Sequence, residues 1–278
     1  MRRLLFAALL AIGATGCAEL GAVSDGTSVS VGKVSGGYLI NAAKLPDQGD
    51  GFMTRPVWTA RDNRYGTDEM IALLTGVARR MKTQIKDVDL VVADISAKNG
   101  GAHGSGEFHR SHQTGRDADL LYYMRDKDGN PFEPDAMHVF TGRGWARDGS
   151  GITIDVARTW LLVKELVAAP EATVQFIFMY EPIAQLLIDH AKQIGEPPQI
   201  VARARRVLRQ PGDSARHDDH LHVRVYCSRA DRAFGCVDIG PMDALADREG
   251  EQSEVLELAG QAVSSAARSG GISLRAAN

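Results

Sequence analysis

Charge of one sign, cysteine and long apolar runs are all scarce in this chain. Its acidic and basic residues nearly cancel, to a formal −3 over 278 residues, which removes the basic field that a nucleic-acid partner needs. Past the amino-terminal segment, no apolar run is long enough to cross a bilayer as a helix. No internal repeat is visible. The glycine-rich stretch from Asn99 to Gly106 is followed by no Walker spacing and is no phosphate cradle. Asp126-Lys127-Asp128-Gly129-Asn130 lacks the remaining ligands and the terminal glutamate of an EF-hand, and reads as a polar turn. What remains is 44% hydrophobic and 24% charged, the balance of a soluble globular protein with a real core. The length admits one large domain or two small ones.

The three cysteines divide by position. Met1-Arg2-Arg3 followed by an apolar stretch to Gly13 reads as a signal peptide over residues 1–16. Ala14-Thr15-Gly16 meets the small-x-small rule for secretory cleavage, and Cys17 directly after it resembles a bacterial lipobox. Cleavage there leaves a lipid-modified Cys17; plain secretion is the alternative. Cys227 and Cys236 are then an even pair suited to one disulfide in an oxidising compartment. Residues 17–37, rich in Ala, Ser, Val and Gly, read as a tether, 38–247 as the folded domain, and 248–278 as a disordered or weakly helical tail.

Within the domain, Ile71, Leu74, Ala78, Met81 and Ile85 recur at helical spacing. Asp68 and Glu69 open that helix and Arg79, Arg80 and Lys82 close it, matching the macrodipole. Asp155 caps a second helix to Ala168, and Pro182 opens a third that ends at Gly195. Leu90 to Ile95 and Val174 to Met179 read as buried strands. Pro197-Pro198 starts a segment read as irregular, whose Arg203, Arg205, Arg206 and Arg209 are either a solvated basic loop or a clamp for substrate carboxylates. Strands separated by helices are compatible with a parallel α/β sheet or with an α+β fold.

Five of the eight histidines fall in two short windows, His109 to Asp119 and His217 to Val223. Imidazole nitrogen and carboxylate oxygen are the usual ligands of catalytic zinc, which takes three protein ligands and keeps a position open. His112, Asp119 and one histidine of the second window supply such a set; manganese and iron accept the same ligand types. Leu221, Val223 and Val225 alternate with His220, His222 and Arg224. That alternation makes the second window a strand, with His220 and His222 on one face about 7 Å apart. One can hold the metal while the other reaches water or substrate. In the first window, Gly115 interrupts any helix, and Leu120 to Met124 favours a strand.

His-x6-Asp followed far downstream by His-x-His resembles the metallopeptidases grouped with lysostaphin, the D-alanyl-D-alanine peptidases and the hedgehog signalling domain. The longer forms His109-x-x-His112-x6-Asp119 and His217-x-x-His220-x-His222-Val223-Arg224 are similar to those of the penicillin-insensitive murein endopeptidases, over residues of about 36 to 240. That resemblance implies zinc on His112, Asp119 and His222, with His109 at the metal site and His220 and His217 at the reaction centre. It implies a single α+β domain, with a central antiparallel sheet carrying the metal site and helices on its flank. The implied activity is hydrolysis of murein peptide cross-links, D-alanyl to diaminopimelate, in the periplasm, with peptidoglycan as partner. A carboxypeptidase or dipeptidase of the same superfamily, and a non-catalytic wall-binding lipoprotein, are the alternatives. Where the family carries Asp-x-x-His between the windows, this chain has Asp155-Val156-Ala157-Arg158, so a second metal is not expected there.

Overall fold

The computed structural model describes residues 26–102, 110–212 and 214–250, and the single residues 253, 257, 258 and 261. Residues up to Gly240 belong to one compact unit and those from Pro241 to another, of which 243–250 are helical. The proposed signal peptide, Cys17 and His109 lie outside the described residues.

A four-stranded sheet organises the first unit, in the order Leu208–Arg209, Val174–Phe178, Leu221–Val225, Asp117–Leu120. The last two neighbour pairs are antiparallel, and the short edge strand Leu208–Arg209 runs parallel to Val174–Phe178. With helices packed beside it, the architecture is α+β. Alternation separates two faces of the sheet. Ile177, Val223 and Ala118 form one cross-strand row, with Leu221 opposite Leu120, and all of them are buried in the core. Phe178, His222 and Asp119 form a row of opposite sense, and Phe176, Arg224 and Asp117 the next one on that face. One face therefore makes the core and the other carries the histidines.

The three helices expected from periodicity are present. Asp68–Gln84 is capped by Thr67, whose side chain accepts from the Met70 N–H at 3.2 Å, and it buries Met70, Leu74, Val77 and Met81. Val156–Ala168 is capped by Asp155, which accepts from the Arg158 N–H at 3.2 Å. Glu181–Gln193 begins with Pro182 in its first turn and stops at Gly195, whose φ is +73°. Val156–Ala168 packs against both of the others.

The segment after Pro197-Pro198 is not irregular. Pro198–Val207 is a helix, with proline in the first turn where its missing N–H costs nothing. Val201, Ala204 and Val207 face inward at a spacing of three, a stripe hidden in the sequence by the arginines around it. The span read as a tether also holds structure. Val29–Lys33 pairs antiparallel with Gly36–Ile40, and Ser30 is buried where the Arg116 Nε–H donates to its hydroxyl at 3.2 Å. Small, weakly charged residues suit both a linker and a strand laid tightly on a neighbour, and composition does not separate the two.

Arg116 locks the hairpin to the rest. It also donates to the Val225 and Val237 carbonyls at 3.1 Å and pairs with Asp238 at 2.9 Å. Asp238 in turn accepts the Cys227 N–H at 2.9 Å, beside the Cys227–Cys236 disulfide. A short disulfide loop of this kind contributes about 2–4 kcal/mol by constraining the unfolded chain.

Candidate metal centre

His112 reaches the site through an unusual backbone. Its φ is +67°, a conformation that costs a side-chain-bearing residue roughly 1–3 kcal/mol and is held only when its surroundings demand it. Two hydrogen bonds supply the demand. The His112 N–H donates to Asp117 Oδ2 at 3.0 Å, and the next N–H, of Gln113, donates to the Val34 carbonyl of the hairpin at 3.1 Å. Gly115, at φ +71°, follows. A Cβ there would lie 2.9 Å from the Thr67 nitrogen and 3.0 Å from the Gly66 carbonyl carbon, so only glycine lets the window pass under the helix start.

The rest of the set comes from strand register. Asp119 and His222 are direct cross-strand partners. The His112 Nδ1 lies 2.6 Å from the Ile95 carbonyl oxygen, which turns its Nε2 inward. That Nε2 lies 3.2 Å from His222 Nδ1 and 3.3 Å from Asp119 Oδ1, and His222 Nδ1 lies 3.3 Å from the same oxygen. All three side chains are buried. Metal–ligand distances of 2.0–2.1 Å place the donor atoms of a tetrahedral zinc about 3.3–3.4 Å apart. The three atoms thus already outline one face of such a tetrahedron, and the residues fit the ion.

His220, one position before the strand, points its Nε2 to within 3.2 Å of Asp119 Oδ1 and its Nδ1 to within 2.7 Å of Asp219 Oδ1. Burial opposes its imidazolium form, but the Asp119 and Asp219 carboxylates outweigh that and push it up to about 10. His217 lies beside it, with ring centroids 5.3 Å apart, and its carbonyl is fixed by the Tyr180 N–H at 2.7 Å. Burial, with His222 and His220 adding to it, pushes His217 down to about 4. His217, His220 and His222 make a second group of converging nitrogens. Both groups border one open groove of about 680 Å³.

Asp117 escaped the sequence reading. It is fully buried and takes the Arg224 Nε–H at 2.6 Å, with His222 Nε2 at 3.1 Å and the His112 N–H noted above. Burial makes its charge costly, yet Arg224 and His222 hold its carboxyl well below the usual range. A carboxylate behind a ligating imidazole fixes the ring's tautomer and orientation. Alternation with Asp119 was the available signal. Asp219 was passed over in the same way.

A family model for penicillin-insensitive murein endopeptidases matches residues 30–255. The chain belongs to that family of peptidases. The penicillin-insensitive murein endopeptidase of Haemophilus influenzae is 26% identical over 221 residues, covering 79% of this chain and 70% of the relative. Those of Escherichia coli O157:H7 and Shigella dysenteriae serotype 1 are each 23% identical over 229 residues, covering 80% of this chain and 75% of the relative. In this family member, Asp155 is engaged as a helix cap and pairs with Arg125 at 2.8 Å and Arg158 at 3.5 Å. Of the four arginines between 203 and 209, three sit on the Pro198–Val207 helix, and Arg209 alone belongs to the sheet.

Proposed function

We propose that this chain is a zinc-dependent endopeptidase of peptidoglycan, hydrolysing cross-links of the D-alanyl–diaminopimelate type. The observation that carries the reading is the convergence of His112 Nε2, Asp119 Oδ1 and His222 Nδ1, each 3.2–3.3 Å from the others, in a chain of a murein endopeptidase family. These three residues would hold the metal. When bound, zinc lowers the pKa of a coordinated water to about 7 and polarises the scissile carbonyl, so that no serine nucleophile is needed.

The remaining work falls to the chain's own side chains. Asp219 holds the proton on His220 Nδ1. With the Asp119 carboxylate, which helps raise His220 in the free site, engaged by a metal cation instead, Nε2 would be free to take the proton of the attacking water and pass it to the departing amine. His217, beside it, shares that task or donates to the developing oxyanion. Asp117 and Arg224 hold His222 in orientation. His109 is proposed at the metal site by resemblance alone and enters no step here.

Purified protein should convert cross-linked muropeptide dimers to monomers, lose that activity on chelation and regain it with zinc, as followed by mass analysis of the products. Release of terminal D-alanine only, with dimers left intact, would make it a carboxypeptidase. Binding without turnover would make it a wall-binding protein. The proposed location is the periplasm, with a lipid on Cys17 as tether to the membrane. Cys17→Ala is then expected to move the protein from the membrane to the soluble fraction while the purified domain still cuts; a variant that remains in the membrane fraction after signal removal would refute the anchor.

A further inference from the structure

Three arginines lie over three aromatic rings, two on the strand Val174–Phe178 and the third, Tyr180, just past its end. Arg209 lies over Phe176 at 5.6 Å, Arg224 over Phe178 at 5.1 Å and Arg216 over Tyr180 at 5.2 Å. The ring-bearing residues are two apart, and Phe176 and Phe178 are themselves stacked at 4.9 Å. Phe178 is the cross-strand partner of His222, and His222 that of Asp119, so the middle pair of this series shares a row with the metal ligands. The Arg209 backbone is in register with Phe178, at the edge of that row, but its guanidinium reaches to one side over Phe176, while Arg216 lies to the other side over Tyr180, where it lines the groove next to His217.

The middle arginine is spent on Asp117. The outer two are not. Both are exposed, and among the described residues neither has a carboxylate within ion-pair distance. Arg209 donates only its Nε–H, to the Arg206 carbonyl at 3.3 Å. A guanidinium held over a ring face keeps N–H groups that can take a carboxylate in fork geometry. Same-face positions of an extended chain recur about every 7 Å, so a peptide laid along this series with its scissile bond at the metal row meets one guanidinium on each side.

We propose that Arg209 and Arg216 are two carboxylate-binding positions flanking the scissile bond, and that the site selects cross-linked peptides bearing a free carboxylate on both sides. The assignment rests on the endopeptidase reading above. Of the four arginines weighed as a carboxylate clamp it keeps Arg209, leaves out the three on the helix and adds Arg216 from the loop before His217.

Two pairs of synthetic cross-linked peptides test it. Members of a pair differ only in a free carboxylate or a carboxamide, placed on the acyl-donor side in one pair and on the amine side in the other. The wild type should prefer each carboxylate by about 10-fold or more in kcat/KM, the worth of one charge-assisted contact. Arg209→Gln should bring the preference to about one in one pair and Arg216→Gln in the other, through KM rather than kcat. Arg205→Gln, an equal charge change on the helix, should keep both preferences. Equal use of both members by the wild type overturns the arginine assignment alone. So does a uniform loss of kcat on all four peptides in either variant, or an Arg205→Gln effect of the same size. Failure of the zinc-loaded wild type to cut any of the four overturns the endopeptidase reading and this proposal together.

Discussion

His222→Ala should lose zinc and hydrolysis together. The substitution removes one corner of the donor triangle and leaves His112 and Asp119, and two protein ligands rarely retain a catalytic ion. It also strands Asp117, which is fully buried and spends part of its charge on His222 Nε2 at 3.1 Å. Arg224 still pairs with that carboxylate at 2.6 Å, so the sheet should survive and the variant should fold. After dialysis against metal-free buffer, bound metal should be far below stoichiometric and cleavage of cross-linked muropeptides at background. A His222→Ala protein that keeps one zinc per chain would remove His222 from the ligand set.

The companion result is the opposite for metal and similar for rate. His220→Ala should keep near-stoichiometric zinc while kcat falls roughly 10²–10⁴-fold, the usual worth of a positioned acid–base group. The comparison is a sharp one because His220 Nε2 approaches Asp119 Oδ1 as closely as the ligands do, at 3.2 Å, and it belongs to the second converging group with His217 and His222. Distance alone does not separate the proposed ligand from the proposed acid–base group; the paired variants do. His222 Nε2 backs onto Asp117 in the sheet, whereas His220 Nδ1 backs onto the partly exposed Asp219. Zinc lost from His220→Ala and retained in His222→Ala would mean that the roles are reversed. Full activity in both would make the window structural.

Much of this centre could be read before any fold was known, because histidine is rare in the chain and its spacing is informative. The alternation of Leu221, Val223 and Val225 produced the strand, and the strand brought His222 to Asp119. The supporting groups were not legible for a specific reason. Asp117 acquires its meaning from Arg224, its cross-strand partner, and register between distant segments is written in no local pattern. The arginines illustrate the same point. Arg203, Arg205, Arg206 and Arg209 look alike in sequence, yet a helix takes three of them and the sheet edge the fourth. The helix after Pro198 and the hairpin from Val29 were missed because arginines masked a narrow apolar stripe and small residues mimicked a linker.

If the proposed site is right, the His222–Asp119 pairing also sets when the chain acquires its activity. His112 and His222 are 110 positions apart, and the triangle closes only when the strand Leu221–Val225 slots between Val174–Phe178 and Asp117–Leu120. A nascent or truncated polypeptide ending before His217 contains two of the three donors and none of the second window. On the proposed reading such a fragment should leave murein uncut, whatever helices it has already formed. Assembling the proposed metal site and completing the central sheet are one event.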